Sequence, residues 1–516
     1  MRPCSTCAMS LKVQHLAAVD LGSNSFRMLV GKAAESPHGA QIYPLDSLRE
    51  PVRLGAGLDA NKNLTEESQQ RALATLSRFG ERLRQFQPER VRAVATNAVR
   101  VAKNAHVFLE RAQAALGFPI EVIAGREEAR LVYIGAAHSV APAAGNRLVV
   151  DIGGGSTEFI IGQGHEPGLM ESLYIGCVSM SRDFFPGGLV DEQRMKAAEL
   201  AARREVQIIA SAFRKTGWTN AVGSSGTARA LADILVGNQL NPHGQSLGIT
   251  RTGLRELRKI YVRAGNLETL RMVGLKSDRI AVAPGGLAIM LGVFEELGIK
   301  DMEATDAGLR LGVLYDLLGR EQQQDMRELT VQQFMQRYAV DVKQAERVEE
   351  QALALFLQLN PDATSTQQQT LRWAAALHEV GLSISHSAYH KHSAYIVANA
   401  DMPGFSRSEQ ATMADMVLSH GGKLKKLGGL DSINLDLRAV LALRLAVLMA
   451  RNRHAIEPGG LRLLPGTGKS GVLGARIEAS ARWLKASPLT QYSLEQEVAE
   501  WQRAGVELQL DTVAAV

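Results

Sequence analysis

Two short segments of this 516-residue chain each combine acidic, hydroxyl and glycine residues at a single turn. In "LVVDIGGGSTEFIIG" (148–162), an apolar run ends at Asp151, three glycines follow, and Ser156, Thr157 and Glu158 open a second apolar run. Apolar runs on both sides of a glycine turn are typical of a β-hairpin. Glycines let the backbone approach phosphoryl oxygens closely and expose consecutive N–H donors, so this turn suits a phosphate group.

The acidic residues of this hairpin indicate a metal ion beside the phosphate. Asp151 would repel a phosphate group directly, so its carboxylate suits Mg²⁺ that bridges protein and phosphate, often through water. Glu158 lies seven positions further on in the returning strand and could reach the same ion. Mn²⁺ accepts the same hard oxygen ligands. The alternative is a tight hairpin whose aspartate, serine and threonine only satisfy backbone groups of the turn.

The hairpin has a counterpart earlier in the chain. A shift of 131 positions places "AVDLGSNSFRMLVG" (18–31) on "VVDIGGGSTEFIIG" (149–162), with Asp20 on Asp151 and Ser25 on Ser156. This coincidence predicts a repeated half-domain, a phosphate chain in the cleft between the halves, and Asp20 as a further metal-facing acid. A third glycine turn, "AVGSSGTARAL" (221–231), opens a helix. The predicted phosphate-binding residues of the three turns are Gly22, Ser23, Asn24, Ser25, Gly153, Gly154, Gly155, Ser156, Thr157, Gly223, Ser224, Ser225, Gly226 and Thr227.

The elements around these turns predict a multidomain α/β protein. Strand-like runs alternate with amphipathic stretches up to about Arg320, which predicts an α/β layered architecture. Helical apolar periodicity then continues to about residue 455, and short strands with one helix follow. The predicted divisions are a disordered leader 1–12, a first α/β half 13–140, a second α/β half 141–318, a helical domain 325–455 and a small α+β domain 456–516.

Composition places few limits on function but restricts location. The chain is 46% hydrophobic and 22% charged, and it shows neither an uninterrupted membrane-spanning run nor a secretory signal, which predicts a cytoplasmic protein. Three cysteines are too few for a disulfide framework, and Cys4 and Cys7 fall in the predicted leader. A net charge of +5 suits a polyanionic ligand, although a solvated surface of mixed charge explains it equally well.

Several segments together resemble one enzyme family. "AAVDLGSNSFRMLV", "GREEARLVYIGA", "LVVDIGGGSTEFIIG", "AVGSSGTARAL" and "ALHEVGLSISHSAYHKHSAYIV" are similar, in the same order, to the exopolyphosphatase and guanosine pentaphosphate phosphohydrolase family. The resemblance implies a duplicated actin–hexokinase-like (ribonuclease H-like) α/β core followed by an all-α HD-like domain. It also implies Mg²⁺-dependent hydrolysis of a terminal phosphoanhydride with water as acceptor, and a homodimer.

The resemblance assigns roles to two residues of the first half. The general base of the family is a glutamate in "EEAR", which maps to Glu128. A carboxylate there would orient the attacking water and accept its proton. Its neighbour Glu127 needs no more than the ordinary role of an acid in the first turn of a helix. Arg100 lies where the family carries an arginine near the phosphate cleft, and an exposed helical arginine is the competing interpretation.

The helical region carries a histidine-rich segment. "LHEVGLSISHSAYHKHSAYI" resembles the helices of HD-type phosphohydrolases, whose His-Asp pair binds a metal, but the pair here is His378-Glu379. We therefore expect a structural or polyphosphate-binding role, with an interhelical polar cluster as the alternative. A candidate polymer channel over 372–426 contains His378, His390, Lys391 and Lys423, together with Arg372, Lys425 and Lys426.

Four functions remain to be compared at this point. The leading one is an exopolyphosphatase that removes orthophosphate from the end of a long inorganic polyphosphate chain, and the runner-up is hydrolysis of pppGpp to ppGpp. An ATP-dependent sugar kinase would require an alcohol acceptor. A non-catalytic sensor of (p)ppGpp or nucleic acid would bind without releasing phosphate. No basic motif interleaved with aromatics predicts a specific nucleic-acid partner.

Overall fold

The computed structural model describes residues 14–36, 39–141, 144–242, 248–321, 325–424, 435–454, 460–466 and 474–514. Contacts divide the chain into two compact units, Met1–Asp325 and Met326–Val516. The predicted leader with Cys4 and Cys7 lies outside the described residues, as do Lys425 and Lys426 of the candidate channel.

The first unit contains two β-sheets. The five-stranded sheet has the order β3-β2-β1-β4-β5. Its strands are β1 (Gln14–Leu21), β2 (Phe26–Ser36), β3 (Gly39–Glu50), β4 (Val91–Ala95) and β5 (Ile120–Val122). The six-stranded sheet contains β6 (Asn146–Ile152), β7 (Thr157–Gln163), β8 (Glu166–Leu173), β9 (Asn220–Ser224), β10 (Ile249–Thr250) and β11 (Asp301–Thr305), in the order β10-β11-β9-β6-β7-β8.

The two sheets repeat one topology, which confirms the duplicated core. In each, an antiparallel meander (β1-β2-β3 or β6-β7-β8) is continued by a parallel strand on the other side of its first member (β4 or β9). Even the irregularities correspond, because the ladder shifts register between Val30 and Gly31 in one sheet and between Ile161 and Gly162 in the other. These positions are related by the same shift that relates Asp20 to Asp151.

The helices of the first unit cover and connect the sheets. They are α1 (Glu66–Leu83), α2 (Asn97–Val101), α3 (Ala105–Leu116), α4 (Gly125–Ala137), α5 (Cys177–Phe184), α6 (Glu192–Thr216), α7 (Gly226–Gly237), α8 (Arg251–Ala264), α9 (Ala283–Leu297) and α10 (Leu309–Glu321). Local sequence sets their ends. Thr65 caps α1 by accepting a hydrogen bond from the Ser68 amide, and Gly117 ends α3 in the left-handed conformation.

Two helices are exchanged between the halves. Helix α4 follows the first sheet in the chain but packs on β7 and β8, and α10 follows the second sheet but packs on β1 and β2. The two helices also contact each other closely, since a side chain on Gly135 or Gly312 would overlap the backbone of the opposite helix. The exchange places α4, with its two first-turn glutamates, between the sheets.

One helical segment of the first unit is apolar enough to be compared with a membrane span. Residues Ile280–Leu297 satisfy the length and composition of such a span, and 67% of that window is buried within the protein. Its side chains, among them Leu287, Met290 and Phe294, pack in the core of the second half. This burial is the pattern of a core helix.

The second unit is helical with one small sheet. Its helices are α11 (Met326–Arg337), α12 (Val342–Leu359), α13 (Ser365–Leu377), α14 (Tyr389–Asn399), α15 (Arg407–Ser419), α16 (Leu437–Met449), α17 (Ala481–Ala486) and α18 (Pro488–Arg503). The sheet has the order β12 (Leu461–Pro465), β13 (Gly474–Ser480), β14 (Glu507–Val513). Helices and sheet share one apolar core, in which Leu463 and Ile477 join Leu355 and Trp501.

Candidate functional site

The glycine turns meet at one cavity of about 330 Å³ in the first unit. Helix α4 contributes Glu128 to its wall, and the hairpins contribute Asp20 and Asp151. The predicted phosphate-binding residues that line the cavity are Gly22, Ser23, Asn24, Ser25, Gly153, Gly154, Gly155, Ser156, Ser224, Ser225, Gly226 and Thr227.

Four predicted site residues lie behind this lining. The Thr157 hydroxyl donates to the Ile175 carbonyl at 2.6 Å, and Gly223 is an internal residue of β9. Arg100 reaches the cavity only through Glu128, because its Nη1 donates to Glu128 Oε2 at 3.1 Å. Glu158 is 1% exposed and pairs with Asp151 across the β6–β7 ladder. These residues support the cavity wall rather than form it.

The two hairpin turns present backbone amides in the same way. In the first turn, the carbonyls of Ser23 and Asn24 accept hydrogen bonds from the amides of Gly55 and Arg53, at 2.7 and 2.8 Å. Because C=O and N–H of a trans peptide point in opposite directions, the next amides point away from this support. In the second turn, the carbonyls of Gly153 and Gly154 accept from the first residues of α5 in the same way, at 2.9 Å. Both turns thus direct N–H donors away from their supports, as an anion site requires.

The third turn places a helix N-terminus at the cavity beside two arginines. Ser225 caps α7, and its Oγ accepts a hydrogen bond from the Ala228 amide at 3.1 Å. A Cβ atom on Gly226 would overlap the Arg279 guanidinium and lie 3.1 Å from Arg27 Nη2. Two cations at the positive end of a helix are repelled by each other and by the helix dipole. An anion bound between them would offset this repulsion. This turn is therefore suited to a strongly anionic ligand.

The arginines of the cavity carry positive charge that their surroundings do not neutralise. Burial, followed by the nearby charges of Arg49 and Arg27, lowers the pKa of Arg279. Burial and the charge of Arg27 likewise lower the pKa of Arg310, which also lines the cavity. The neighbouring arginines among these causes are local positive charges that a polyanion would relieve.

The carboxylates Asp20, Asp151 and Glu128 form an acidic part of the same cavity wall. Burial raises the pKa of Asp20, and it raises the pKa of Glu128 against the lowering effect of Arg100. Burial, with Glu128 nearby, raises the pKa of Asp151 to about 7, although the Ser224 hydroxyl donates to Asp151 Oδ2 at 2.8 Å. Behind them, burial and the charges of Glu128 and Asp151 raise the pKa of Glu158 well above its ordinary value. Carboxyls this close to one another are stabilised by a cation.

The adjacent glutamates of α4 have different surroundings. Glu128 faces the cavity, whereas both carboxylate oxygens of Glu127 accept hydrogen bonds from Arg130 at 2.8 Å. Arg130 also donates to Asp316 on α10, and Arg92 on β4 donates to the other oxygen of Asp316 at 2.6 Å. This buried network fixes α4 against α10 and thereby orients Glu128.

The arginines of the cavity, Arg27, Arg279 and Arg310, were not predicted from the sequence. Arg27 occupies, in the first half, the repeat position of Glu158 in the second half, so the repeat alone could have directed attention to it. Arg279 precedes α9, and Arg310 is the second residue of α10; neither belongs to a glycine turn or a phosphate-binding motif. Only the folded chain brings these two residues to the cavity.

The candidate channel residues lie in the second unit in different environments. His378 is 1% exposed, its Nδ1 lies 2.6 Å from the Ala375 carbonyl, and burial lowers its pKa. His378 is therefore a neutral interior side chain. Lys391 and Lys423 are exposed, His390 is partly exposed, and Arg372 pairs with Glu349 at 2.8 Å. The two lysines are the most exposed side chains of this set, and the Arg372 side chain is 42% exposed beside its acidic partner.

Comparison with known proteins identifies the family. Residues 33–321 match the model of the Ppx/GppA phosphatase family, and residues 326–498 match Ppx/GppA phosphatase, domain III. A crystal structure of an Aquifex aeolicus member of the Ppx/GppA family is 28% identical with a TM-score of 0.50, covering 60% of this chain and 99% of that one. The structure of an exopolyphosphatase from Cytophaga hutchinsonii is 26% identical with a TM-score of 0.52, covering 59% of this chain and 98% of that one.

These matches agree with the geometry of the cavity and with the repeated topology. They confirm the predicted fold class, a duplicated actin–hexokinase-like α/β core followed by a helical region with a small α+β part. The carboxylate wall, the paired hairpin turns and the cationic turn are the parts that a phosphohydrolase requires. The chain belongs to the Ppx/GppA phosphatase family.

Proposed function

We propose that this phosphatase hydrolyses the terminal phosphoanhydride bond of inorganic polyphosphate and releases orthophosphate. The observation that carries the proposal is that both arginines and carboxylates line a single cavity. Arg27, Arg279 and Arg310 suit several phosphoryl groups, while Asp20, Asp151 and Glu128 suit the single group that reacts. A chain of linked phosphates is long enough and charged enough to contact both the arginines and the carboxylates.

Different residues of the cavity perform different steps of the proposed reaction. The hairpin amides and the N-terminus of α7 hold phosphoryl oxygens, and the arginines hold the phosphates that follow. Glu128 orients a water molecule toward the terminal phosphorus and accepts its proton. Its raised pKa, caused by burial, makes the carboxylate a stronger base than an exposed glutamate. The salt bridge from Arg100 keeps that carboxylate in place.

The acidic wall fits a divalent cation. Asp20 Oδ1 is buried and has no hydrogen-bond partner within the described ranges, so it is an available ligand. No group of three histidine, cysteine, aspartate or glutamate side chains in the described part of the chain forms a complete cage. Mg²⁺ usually keeps several waters and takes one or two carboxylates together with substrate phosphates. Asp20 and Asp151 would supply the carboxylates. When bound, the ion would neutralise charge on the phosphoryl oxygens.

The described lining of the cavity supports the choice of polyphosphate over pppGpp in this proposal. Its described lining contains arginines, glycines, hydroxyl residues and aliphatic side chains such as Leu29 and Leu309, but no aromatic side chain. A guanine base gains much of its affinity from stacking on an aromatic or guanidinium plane. Since the arginines are needed for the phosphates, the lining suits an unmodified phosphate chain better.

The proposal is tested by measuring orthophosphate release with Mg²⁺ from long-chain polyphosphate, from pppGpp, and from ATP with and without glucose. We expect the polymer to react fastest. Preferential release from pppGpp would establish the nucleotide phosphohydrolase instead. Consumption of ATP that requires the sugar would indicate a kinase, and release from none of the substrates would refute hydrolysis.

Arg279→Gln is expected to raise KM for polyphosphate roughly 10- to 100-fold, because it removes a charge-assisted contact to a phosphoryl group. The value of kcat should change much less, since Arg279 packs at Gly226 of the third turn and takes no part in the proton transfer assigned to Glu128. Initial rates over a range of polymer concentrations measure the two constants. Arg255→Gln is the matched control, because Arg255 is an exposed arginine on α8. An unchanged KM in Arg279→Gln would show that Arg279 does not bind the phosphate chain.

Phosphate release at limiting Mg²⁺ is expected to rise as the pH increases from about 6 to about 8. The Asp151 carboxyl has its pKa raised to about 7, chiefly by burial, and must lose its proton before it can hold a cation. Saturating Mg²⁺ should displace that proton and flatten the profile. Rate measurements at two Mg²⁺ concentrations across this range check the prediction, and identical profiles would contradict it.

A further inference from the structure

Asn97 brings an unsatisfied hydrogen-bond donor to the cavity. It is the first residue of α2, is 8% exposed and lies in the cavity lining. Its Nδ2 is buried and has no hydrogen-bond partner among the residues that the structure describes. A buried donor without an acceptor costs folding free energy, so a native protein retains one where a water, an ion or a ligand supplies the acceptor or where the site serves a function.

The carboxamide of Asn97 lies where the two hairpin turns approach each other. A Cβ atom on Gly155 would be 2.5 Å from Asn97 Oδ1 and 3.6 Å from Ser23 Oγ. Only glycine at position 155 therefore allows the amide of Asn97 to pack on the second turn, next to the first. The carboxamide of Asn97 therefore lies beside Gly155 of the second turn and close to Ser23 of the first.

Asn97 also lies near the proposed general base. It precedes Arg100 by three residues on α2, and side chains at this spacing share one face of a helix. Arg100 Nη1 donates to Glu128 Oε2 at 3.1 Å and to the Ile123 carbonyl at 2.9 Å. The face of α2 that holds the Glu128 carboxylate therefore also carries the free amide of Asn97.

The chemistry of the donor restricts the ligand. A carboxamide N–H is neutral, so it binds an oxygen without neutralising Glu128 as a second cation would. The protein places carboxylates, hydroxyls and backbone amides around it, yet none of those described accepts its hydrogen. A nonbridging phosphoryl oxygen has the acceptor capacity that is missing.

We propose that Asn97 Nδ2 donates a hydrogen bond to a nonbridging oxygen of the terminal phosphoryl group and positions that group for the water held by Glu128. This assignment rests on the proposed function of the cavity. Asn97 is thus a further substrate-positioning residue, contributed by a segment that is not one of the glycine turns.

The test compares Asn97→Asp and Asn97→Ala with the wild-type chain. The first substitution keeps the shape of the side chain but replaces the donor with an acceptor, and the second removes both. We expect kcat/KM for phosphate release from polyphosphate to fall about tenfold in Asn97→Ala and at least about a hundredfold in Asn97→Asp. Asn61→Asp, which makes the same charge change at an exposed asparagine, should retain wild-type activity.

Two further readouts separate substrate positioning from a structural role. Calorimetric titration with tripolyphosphate should show weaker binding to both Asn97 variants, while their melting temperatures stay within about 2 °C of wild type. The activity of Asn97→Asp relative to wild type should also recover as pH falls, because a protonated carboxyl is again a donor.

The outcomes distinguish this inference from the function on which it rests. An active wild-type chain with unaffected Asn97→Ala and Asn97→Asp variants would overturn the role of Asn97 and leave the hydrolase intact. A wild-type chain that releases no phosphate would refute the proposed function. In that case the titrations with tripolyphosphate decide alone, and equal affinity of wild type and variants would overturn the contact.

Discussion

Glu128→Gln is expected to lower the rate of phosphate release from polyphosphate about a thousandfold. Glutamine keeps the size of the side chain and can still accept the hydrogen bond from Arg100, but it cannot take a proton from water. Substrate affinity should stay close to wild type, because the phosphate contacts come from the turns and the arginines. Steady-state rates and a titration with tripolyphosphate measure these two effects.

The matched control for Glu128→Gln is Glu67→Gln. Glu67 also lies in the first turn of a helix, but its side chain is 87% exposed, so its variant should release phosphate at the wild-type rate. If Glu128→Gln retained a tenth or more of the activity, the general base would have to be another residue.

Asp316→Asn is expected to destabilise the first unit by about 3–5 kcal/mol at neutral pH. Asp316 is buried between Arg92 and Arg130, and an asparagine there leaves both guanidinium groups with less negative charge. Because Arg130 lies in α4, the loss should be concentrated where α4 meets α10. Amide hydrogen exchange of the two helices measures the local opening free energy.

The effect of Asp316→Asn should also depend on pH. Burial alone would raise the pKa of Asp316, but Arg130 and Arg92 outweigh it and hold that pKa below its ordinary value. A depressed pKa stabilises the fold fully above about pH 4 and less as the pH falls further. The difference between wild type and variant should therefore shrink in strong acid. Asp183→Asn, at an exposed pair with Arg182, should cost less than about 1 kcal/mol at any pH.

The sequence predicted those parts of the site that depend on neighbouring residues. Apolar alternation around a glycine turn defined both hairpins, and their repetition predicted two similar sheets, which the strand orders confirm. Glu127 lies in the first turn of α4, as predicted, but it is also buried and pairs with Arg130, which the sequence did not predict. The catalytic role of Glu128 stays a prediction. Cytoplasmic location, the metal ion and dimerisation also stay predictions.

Other parts of the site depend on contacts between distant residues. The direction of the hairpin amides is set by hydrogen bonds that the turn carbonyls accept from the amide of Gly55 and from the first residues of α5. These donors lie far from the turns in the sequence. Arg310 reaches the cavity because α10 packs on the first sheet, an exchange that no local pattern encodes. Arg279 reaches it from the segment that precedes α9. The sequence prediction therefore found the acids and the turns but not the arginines that line the same cavity.

The proposed hydrolysis requires that water attack the terminal phosphorus of polyphosphate in this cavity with the help of Glu128. The most direct measurement is phosphate release in water labelled with heavy oxygen, followed by mass analysis of the orthophosphate. We expect one solvent oxygen in each orthophosphate that the wild-type chain cleaves from the polymer end, and a far slower appearance of the same product with Glu128→Gln. Unlabelled orthophosphate, or equal rates for the two proteins, would contradict it.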